Sequence, residues 1–137
     1  MAMPNALAIR DYRALASFRE ALRHFVRFSA AAARQAGVSP QQHQALLAIK
    51  AAGGRGPVTV GALAEKLARQ PHSAVGLLDR LAKRGLARRR PDPVDRRKVD
   101  VTLTPAGEAL IRRLSAAHRE ELRRLAPELR KLLRALR

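Results

Sequence analysis

The strongest constraint on the fold lies between residues 58 and 85, where two short amphipathic segments follow one another with almost no connection. Thr59 is a typical side-chain N-cap for the first segment, and Val58 can pack onto Leu63 from outside it. Pro71 fits the first turn of the second segment, and Gly85 fits its C-terminal stop. The predicted inner positions are Val60, Leu63, Ala64 and Leu67, then Leu77, Leu78 and Leu81. Two short helices joined by only a few residues are the pattern of a helix-turn-helix motif.

The next stretch, GLARRRPDPVDRRKVDVTLT at 85–104, predicts a β-hairpin that carries an unusual amount of positive charge. Residues 86–90 form the first predicted strand and PDPVD forms the turn. Residues 98–103 return with apolar side chains at Val99, Val101 and Leu103. Six of the eleven residues from Arg88 to Lys98 are basic. A helix-turn-helix followed directly by a two-stranded hairpin is a winged helix, and the hairpin is its wing.

Helical patterns also precede the winged unit. Residues 7–35 predict one long helix whose apolar stripe comprises Leu15, Phe18, Leu22, Phe25 and Ser29. Ser39 and Gln42 form a capping box around Pro40, and the helix that they begin would bury Ala45, Leu46 and Ile49. GGRGP at 53–57 predicts a turn.

The C-terminal third is also predicted to be helical. Thr104 and Pro105 begin a helix that runs to about Ala126, with inner positions Leu110, Leu114, Ala117 and Leu125. Pro127 predicts a break. A last short helix carries Leu129, Leu132, Leu133 and Leu136. Together with Leu15, Phe18 and Leu22, these leucines are more apolar surface than one small winged unit covers, which predicts dimerisation. The predicted fold class is mainly α with a small β-hairpin: a winged helix-turn-helix plus N- and C-terminal dimerisation helices.

Charge narrows the classes of partner. The formal net charge is +17, from 28 basic and 11 acidic residues, well beyond the magnitude of roughly 2–8 that serves the solubility of a small domain. An anionic partner is therefore expected, with nucleic acid as the first candidate. The chain has no cysteine, which excludes disulfides and thiol switches. No apolar run is long enough to cross a bilayer, and the N-terminus lacks the order of a signal peptide, so we expect a cytoplasmic protein and no membrane partner.

A winged helix suggests how the basic wing is used. The second helix of the motif can lie in the DNA major groove while the hairpin follows the phosphates. The predicted phosphate contacts are Arg88, Arg89, Arg90, Arg96, Arg97 and Lys98. Asp92 and Asp95 either only shape the turn or also hold an arginine in one orientation for the minor groove. Both interpretations of the aspartates remain open from the residues alone.

Several motifs together resemble the bacterial MarR family. They are D-R-L at 79–81, R-G-L at 84–86, D-x-x-D-x-R at 92–97 and L-T-P-x-G at 103–107, and the resemblance extends over nearly the whole chain. It implies a single domain, 1–137, with a DNA-binding part at 38–104 and helical dimerisation parts at 7–35 and 105–137. It also implies an obligate homodimer that binds a pseudo-palindromic site in double-stranded DNA, usually to repress transcription. The recognition helices would then lie about 34 Å apart or near a multiple of this distance.

Carried over to this chain, the resemblance places the start of the recognition helix at Pro71. The residues that it would present to DNA are His72, Ser73, Gly76 and Arg80, and Gln70 would cap the helix or contact a phosphate. Asp79 would support an arginine, and Arg97 corresponds to the wing-tip arginine of the family. The chain departs from the family at Val75, Gly76 and Val94, where relatives often have polar or basic side chains. Weaker direct readout or a different operator is expected from these departures.

The same resemblance implies a small aromatic anion as effector, bound between the dimer helices and the winged unit. The crevice would involve Phe18, Leu22, Phe25, His43 and Leu46, although simple core packing explains these residues as well. No metal or cofactor is expected, because His24, His43, His72 and His118 are far apart in sequence. No catalytic motif occurs, so we do not expect an enzyme.

Two rivals to a ligand-responsive repressor follow from the same residues. The high charge and the weakly polar recognition helix also suit a sequence-tolerant architectural protein of the nucleoid type. A module that binds an acidic protein through its wing is the other alternative. The ratio of operator affinity to random-DNA affinity separates the repressor from the architectural protein.

Overall fold

The structure, a computed structural model, describes residues 6–53 and 56–136. Its elements follow the order α1 (Ile9–Gln35), α2 (Pro40–Ala52), β1 (Val58–Thr59), α3 (Val60–Lys66), α4 (Pro71–Lys83), β2 (Ala87–Pro91), β3 (Val99–Leu103) and α5 (Pro105–Ala135). The predicted fold class, mainly helical with a small hairpin, is confirmed. Gly54 and Arg55 of the predicted turn lie outside the described residues.

Side-chain caps begin three of the helices as the sequence predicts. The Gln42 amide donates to Ser39 Oγ at 3.1 Å, and Gln42 Oε1 accepts from the Ser39 amide at 2.9 Å, which completes the capping box. Thr59 Oγ1 accepts from the Ala62 amide at 3.1 Å. Thr104 Oγ1 caps α5 and also donates to the Gly85 carbonyl at 2.6 Å. This last contact ties the start of α5 to the entrance of the wing.

The small sheet has one strand more than the sequence predicts. Its antiparallel order is β1-β3-β2, and Val58 of β1 pairs with Val101 of β3. A strand of two residues is too short to show alternation, so the sequence predicts only a staple at Val58 and a cap at Thr59. The hairpin itself is shifted by one residue from the prediction, since β2 begins at Ala87 and β3 at Val99.

The core lies where the winged unit meets α2 and α5. Its largest fully buried side chains are Leu46, Leu63, Leu77, Leu78, Leu81, Val101 and Ile111. The predicted buried positions of α2 and α4 are therefore confirmed. Ala117 is wrong as an inner position of α5, because this residue is exposed while its neighbour His118 is half-buried and Glu121 is buried. Polar residues occupy that part of the inner face, and apolar periodicity does not detect them.

The predicted break at Pro127 is also wrong. α5 continues through this residue to Ala135, so the separate last helix does not exist. Pro127 is exposed, and Ala126, Leu129 and Leu132 on either side of it are half-buried. A proline inside a helix costs roughly 3 kcal/mol. We attribute the unbroken helix to the packing of α5 along α1.

Candidate nucleic-acid interface

α4 has one face in the core and one face outward. Ala74, Leu77, Leu78 and Leu81 are buried, and this stripe orients the rest of the helix. On the outer side His72 and Arg80 are exposed, and Ser73 and Gly76 are half-buried. Gln70 occupies the N-cap position but makes no side-chain capping hydrogen bond. Its side chain is exposed to solvent.

Two local contacts organise the outer face of α4. Arg69 Nη1 donates to Ser73 Oγ at 3.0 Å. A guanidinium has no acceptor, so the serine hydroxyl keeps its own proton for an acceptor elsewhere. Gly76 leaves open the space beside Arg80, since a Cβ built on the glycine would lie 4.0 Å from Arg80 Nη1. Sequence reasoning missed Arg69, and only its spacing of four residues from Ser73 could have indicated the contact.

The wing arginines divide between two faces of the ribbon. Ala87, Arg89 and Pro91 alternate with Arg88 and Arg90, and Arg89 pairs with the buried Val101. Arg89 Nη1 forms an ion pair with Asp79 of α4, although Asp79 Oδ1 makes no hydrogen bond of good geometry among the described residues. Arg89 thus links the wing to α4, whereas Arg88 and Arg90 stay exposed on the opposite face.

Aspartates shape the wing tip and orient its arginine. Asp92 Oδ1 accepts from the amides of Asp95 at 2.8 Å and Val94 at 2.9 Å. These bonds lower the pKa of Asp92. Asp95 Oδ1 accepts from Arg97 Nε at 3.1 Å, and Oδ2 accepts from Nη2 at 3.3 Å. This pairing with Arg97 lowers the pKa of Asp95.

The two aspartates of the tip therefore do both things that the sequence left open: they shape the turn, and Asp95 orients an arginine. Arg96 and Lys98 are exposed beside it. The Arg97 side chain itself remains 90% exposed while it is paired, so its guanidinium is oriented without being buried.

Apolar surface remains uncovered on the two long helices. Leu15, Leu22, Leu133 and Leu136 of the predicted dimerisation set are exposed, and Phe18, Leu129 and Leu132 are half-buried. Further large apolar side chains are exposed on the same two helices: Ile9, Tyr12, Val26 and Leu122. α1 packs along α5 within the chain, yet Leu15 and Leu22 of the predicted stripe stay exposed to solvent.

A cavity of about 760 Å³ lies between α1, α2 and α5. Phe25 and His43 line it, as the sequence predicts for the crevice. Phe18, Leu22 and Leu46 do not line it, because Leu46 is fully buried in the core and Leu22 faces a separate groove on α1. His118, Arg119 and Arg123 of α5 also line the cavity and were missed. The side of α5 that faces the cavity is polar here, and a search for apolar periodicity does not find such residues.

In the described part of the chain, no helix combines the length and apolarity that crossing a membrane requires. Across residues 6–53 and 56–136, no three His, Cys, Asp or Glu side chains come together in a way that could hold a metal ion.

Known proteins share this arrangement. The MarR family profile matches residues 36–98. The Bacillus subtilis HTH-type transcriptional regulator YsmB is 37% identical over 68 residues, 50% of this chain and 47% of YsmB, so the match spans about half of that curated relative. The crystal structure of a probable transcriptional regulator from Pseudomonas aeruginosa is 34% identical with a TM-score of 0.62, covering 84% of this chain and 89% of that one. A Staphylococcus aureus MepR mutant bound to an oligodeoxyribonucleotide shares the fold at 21% identity, with a TM-score of 0.72 over 88% and 95% of the two chains.

The caps, the three-stranded sheet and the outward face of α4 define a winged helix-turn-helix protein with long flanking helices. The chain belongs to the MarR family of transcriptional regulators.

Proposed function

We propose that this chain is a homodimeric, sequence-specific regulator of transcription that binds double-stranded DNA at a pseudo-palindromic operator. The observation that carries the proposal is the pairing of Asp79 with Arg89, which joins the outward face of α4 to the basic wing. One surface then offers a helix for the major groove and arginines for the flanking phosphates. Residues 38–104 would form the DNA-binding part.

Contacts within this surface have distinct proposed roles. His72 and Ser73 in the first turn of α4 and Arg80 in its third turn would face the bases, and Gln70 would face a phosphate. Phosphates along the wing would be neutralised by its exposed cations: Arg88, Arg90, Arg96, Arg97 and Lys98. Each neutralised phosphate steepens the log–log salt dependence of binding by roughly 0.9. Arg89 would act through Asp79 rather than by direct contact, which changes its predicted role.

Dimerisation through the parts at 7–35 and 105–137 is supported by the exposed apolar side chains of α1 and α5. The Leu133 side chain is 64% exposed and Val26 is 63% exposed in the single chain. Large contiguous apolar surface on a small protein commonly marks a contact between subunits. A second copy of this chain would cover these side chains and set the spacing of the two α4 helices.

Regulation is proposed to be repression relieved by a small aromatic anion. The cavity between α1, α2 and α5 has a volume in the range of small-molecule sites, roughly 300–1,000 Å³. Its walls are mainly apolar, with Phe25 on one side and Arg119 and Arg123 on another. An anion bound there would contact the long helices and α2 together, and could therefore change the spacing of the DNA-reading helices.

A sequence-tolerant architectural role is the second candidate. Val75 on the outer side of α4 is 39% exposed, and neither its side chain nor Gly76 supplies a hydrogen-bond donor to base edges. Fewer donors in the groove leave a larger share of binding to the phosphates, which carry no sequence information.

The test compares a duplex selected from a random pool with a scrambled duplex of equal length at one salt concentration. A regulator should bind the selected duplex at least about a thousandfold more tightly. A ratio near one would replace the regulator with the architectural protein. Arg80→Ala should reduce this ratio, whereas Arg130→Ala, which removes an equal charge from an exposed site on α5, should not.

A second measurement addresses the wing and the assembly. Arg96→Ala with Arg97→Ala should weaken binding to both duplexes and flatten the salt dependence. Unchanged DNA binding would instead favour a wing that binds an acidic protein. Sedimentation of the free protein should give a dimer, and a monomer at micromolar concentration would contradict the proposed assembly.

A further inference from the structure

Two histidines meet where the winged unit joins the long helices. His43 comes from α2 and is only 4% exposed, and His118 comes from α5. Their ring centroids are 4.7 Å apart, and Phe25 and Phe28 of α1 lie edge-on to His118 at 5.8 and 5.3 Å. Both imidazoles line the cavity of about 760 Å³. Three helices and the cavity therefore meet at one pair of titratable rings.

His118 is held by hydrogen bonds from both ring nitrogens. Nδ1 lies 2.6 Å from the Leu114 carbonyl, which can only accept, so Nδ1 carries the proton. Nε2 lies 2.8 Å from Ser29 Oγ, and the serine hydroxyl donates to it while the ring is neutral. If the ring becomes charged, the hydroxyl can rotate and accept instead. The position of His118 is thus compatible with either state of protonation.

The cavity offers a proton no counter-charge. The charged or titratable groups that line the cavity with His43 are His118, Arg119 and Arg123, all from α5. Arg123 is paired with Glu120, which lies outside the lining, at 3.1 Å. α1 contributes only uncharged side chains to the lining, and α2 contributes Gln44 beside His43 itself. No carboxylate occurs among the described lining residues, since Glu121 is turned to Arg124 and His24. Burial, and then the neighbouring His118, lower the pKa of His43.

We infer that the His43–His118 pair couples anion binding in this cavity to the uptake of one proton from solvent. This inference rests on the proposed function, in which an aromatic anion in the cavity releases DNA. The anion supplies the negative charge that the walls lack, so the pair holds a proton more tightly when the anion is present. Linkage is reciprocal, and acidification therefore strengthens anion binding and the release of DNA. Only one proton is taken up, because two cationic rings this close repel each other.

The experiment uses sodium benzoate as the probe and the full-length wild-type protein. Calorimetric titrations run between about pH 5.5 and 8, the range in which histidines change charge, each in two buffers of different ionisation enthalpy. The dissociation constant of benzoate should fall several-fold towards low pH, by at most about tenfold per pH unit for one proton. The buffer dependence of the heat should show net proton uptake.

Matched variants assign the effect to the pair. His43→Gln combined with His118→Gln should bind benzoate with little pH dependence, because His118 alone could still take up the proton. His24→Gln, which removes an imidazole from α1 outside the cavity lining, should keep the wild-type dependence. NMR titration of the His43 ring in wild-type protein, with and without benzoate, gives the same answer without any substitution. The ring should titrate at higher pH when benzoate is bound.

The outcomes separate the inference from the proposed function. Benzoate binding that is independent of pH overturns the coupling and leaves the proposed ligand site standing. Full pH dependence in the double variant that lacks both imidazoles also overturns it. If benzoate does not bind at any pH while operator binding is intact, the coupling and the ligand-relief part of the proposed function both fail, and the DNA-binding part survives.

Discussion

Replacing Gly107 by alanine should destabilise the protein, although alanine is the better helix former. Gly107 lies in the first turn of α5 and packs directly on the segment that enters the wing. A Cβ built on it would approach the Leu86 carbonyl oxygen far inside the 3.0 Å that real Cβ atoms essentially never pass. It would also lie 3.1 Å from the Leu86 carbonyl carbon and 3.5 Å from Leu103 Cδ2. Backbone atoms cannot rotate away, so α5 or the wing must shift.

The magnitude follows from three contributions. Alanine favours a helix over glycine by about 1 kcal/mol at most. Overpacking that forces backbone movement costs about 1–3 kcal/mol. The shift also strains two hydrogen bonds that join α5 to the wing, from Thr104 Oγ1 to the Gly85 carbonyl and from the Thr104 amide to the Leu86 carbonyl. Each is worth about 1 kcal/mol. We expect a net loss of about 1–4 kcal/mol.

Urea unfolding followed by circular dichroism measures this loss, at equal protein concentration because a dimer is stabilised by mass action. Gly61→Ala is the matched control. Gly61 also lies in the first turn of a helix, α3, but nothing lies within 4 Å of a Cβ built there. That variant should be as stable as wild type or more stable by up to about 1 kcal/mol. If Gly107→Ala matches Gly61→Ala in stability, the close approach does not explain the glycine of the L-T-P-x-G motif.

Three other predictions follow from single contacts. Asp95→Ala adds net positive charge yet should weaken operator binding up to about tenfold, because Arg97 loses the carboxylate that orients it; equal or tighter binding in a fluorescence titration would contradict this. Ala68→Gly should stabilise by about 1 kcal/mol, since the φ of 52° at Ala68 is left-handed; unchanged urea midpoints would show no strain. In the unfolded chain His43 takes up a proton when the pH falls below its ordinary pKa of 6.5, whereas burial lowers the pKa of the folded ring. The free energy of unfolding should therefore rise as the pH increases from below 6.5 to above it. His43→Gln should reduce the slope, and an identical slope would assign it to other groups.

Much of the winged unit was predictable because its signals are local. Caps at Ser39, Thr59 and Thr104, glycine after α4 and alternation in β3 each depend on neighbours a few residues away. The same locality explains the outward set on α4, since burial of Leu77, Leu78 and Leu81 determines which residues face away. The wing tip was predictable in part. Aspartates are expected in a turn, whereas the pairing of Asp95 with Arg97 rather than with a neighbouring cation is known only from the structure.

The remaining features depend on contacts between distant segments. By itself the sequence determined which stretches become helices and hairpin, and that the wing is basic. Only the tertiary structure decided that α5 passes through Pro127, that Arg89 turns to Asp79, and that His43 contacts His118 beside a cavity. Local propensity is overridden where packing energy from a partner helix exceeds it, and a polar side chain is buried wherever a distant group accepts its hydrogen bonds or stacks on it. The spacing of residues along one segment shows neither the partner helix nor the distant group that bonds the buried side chain.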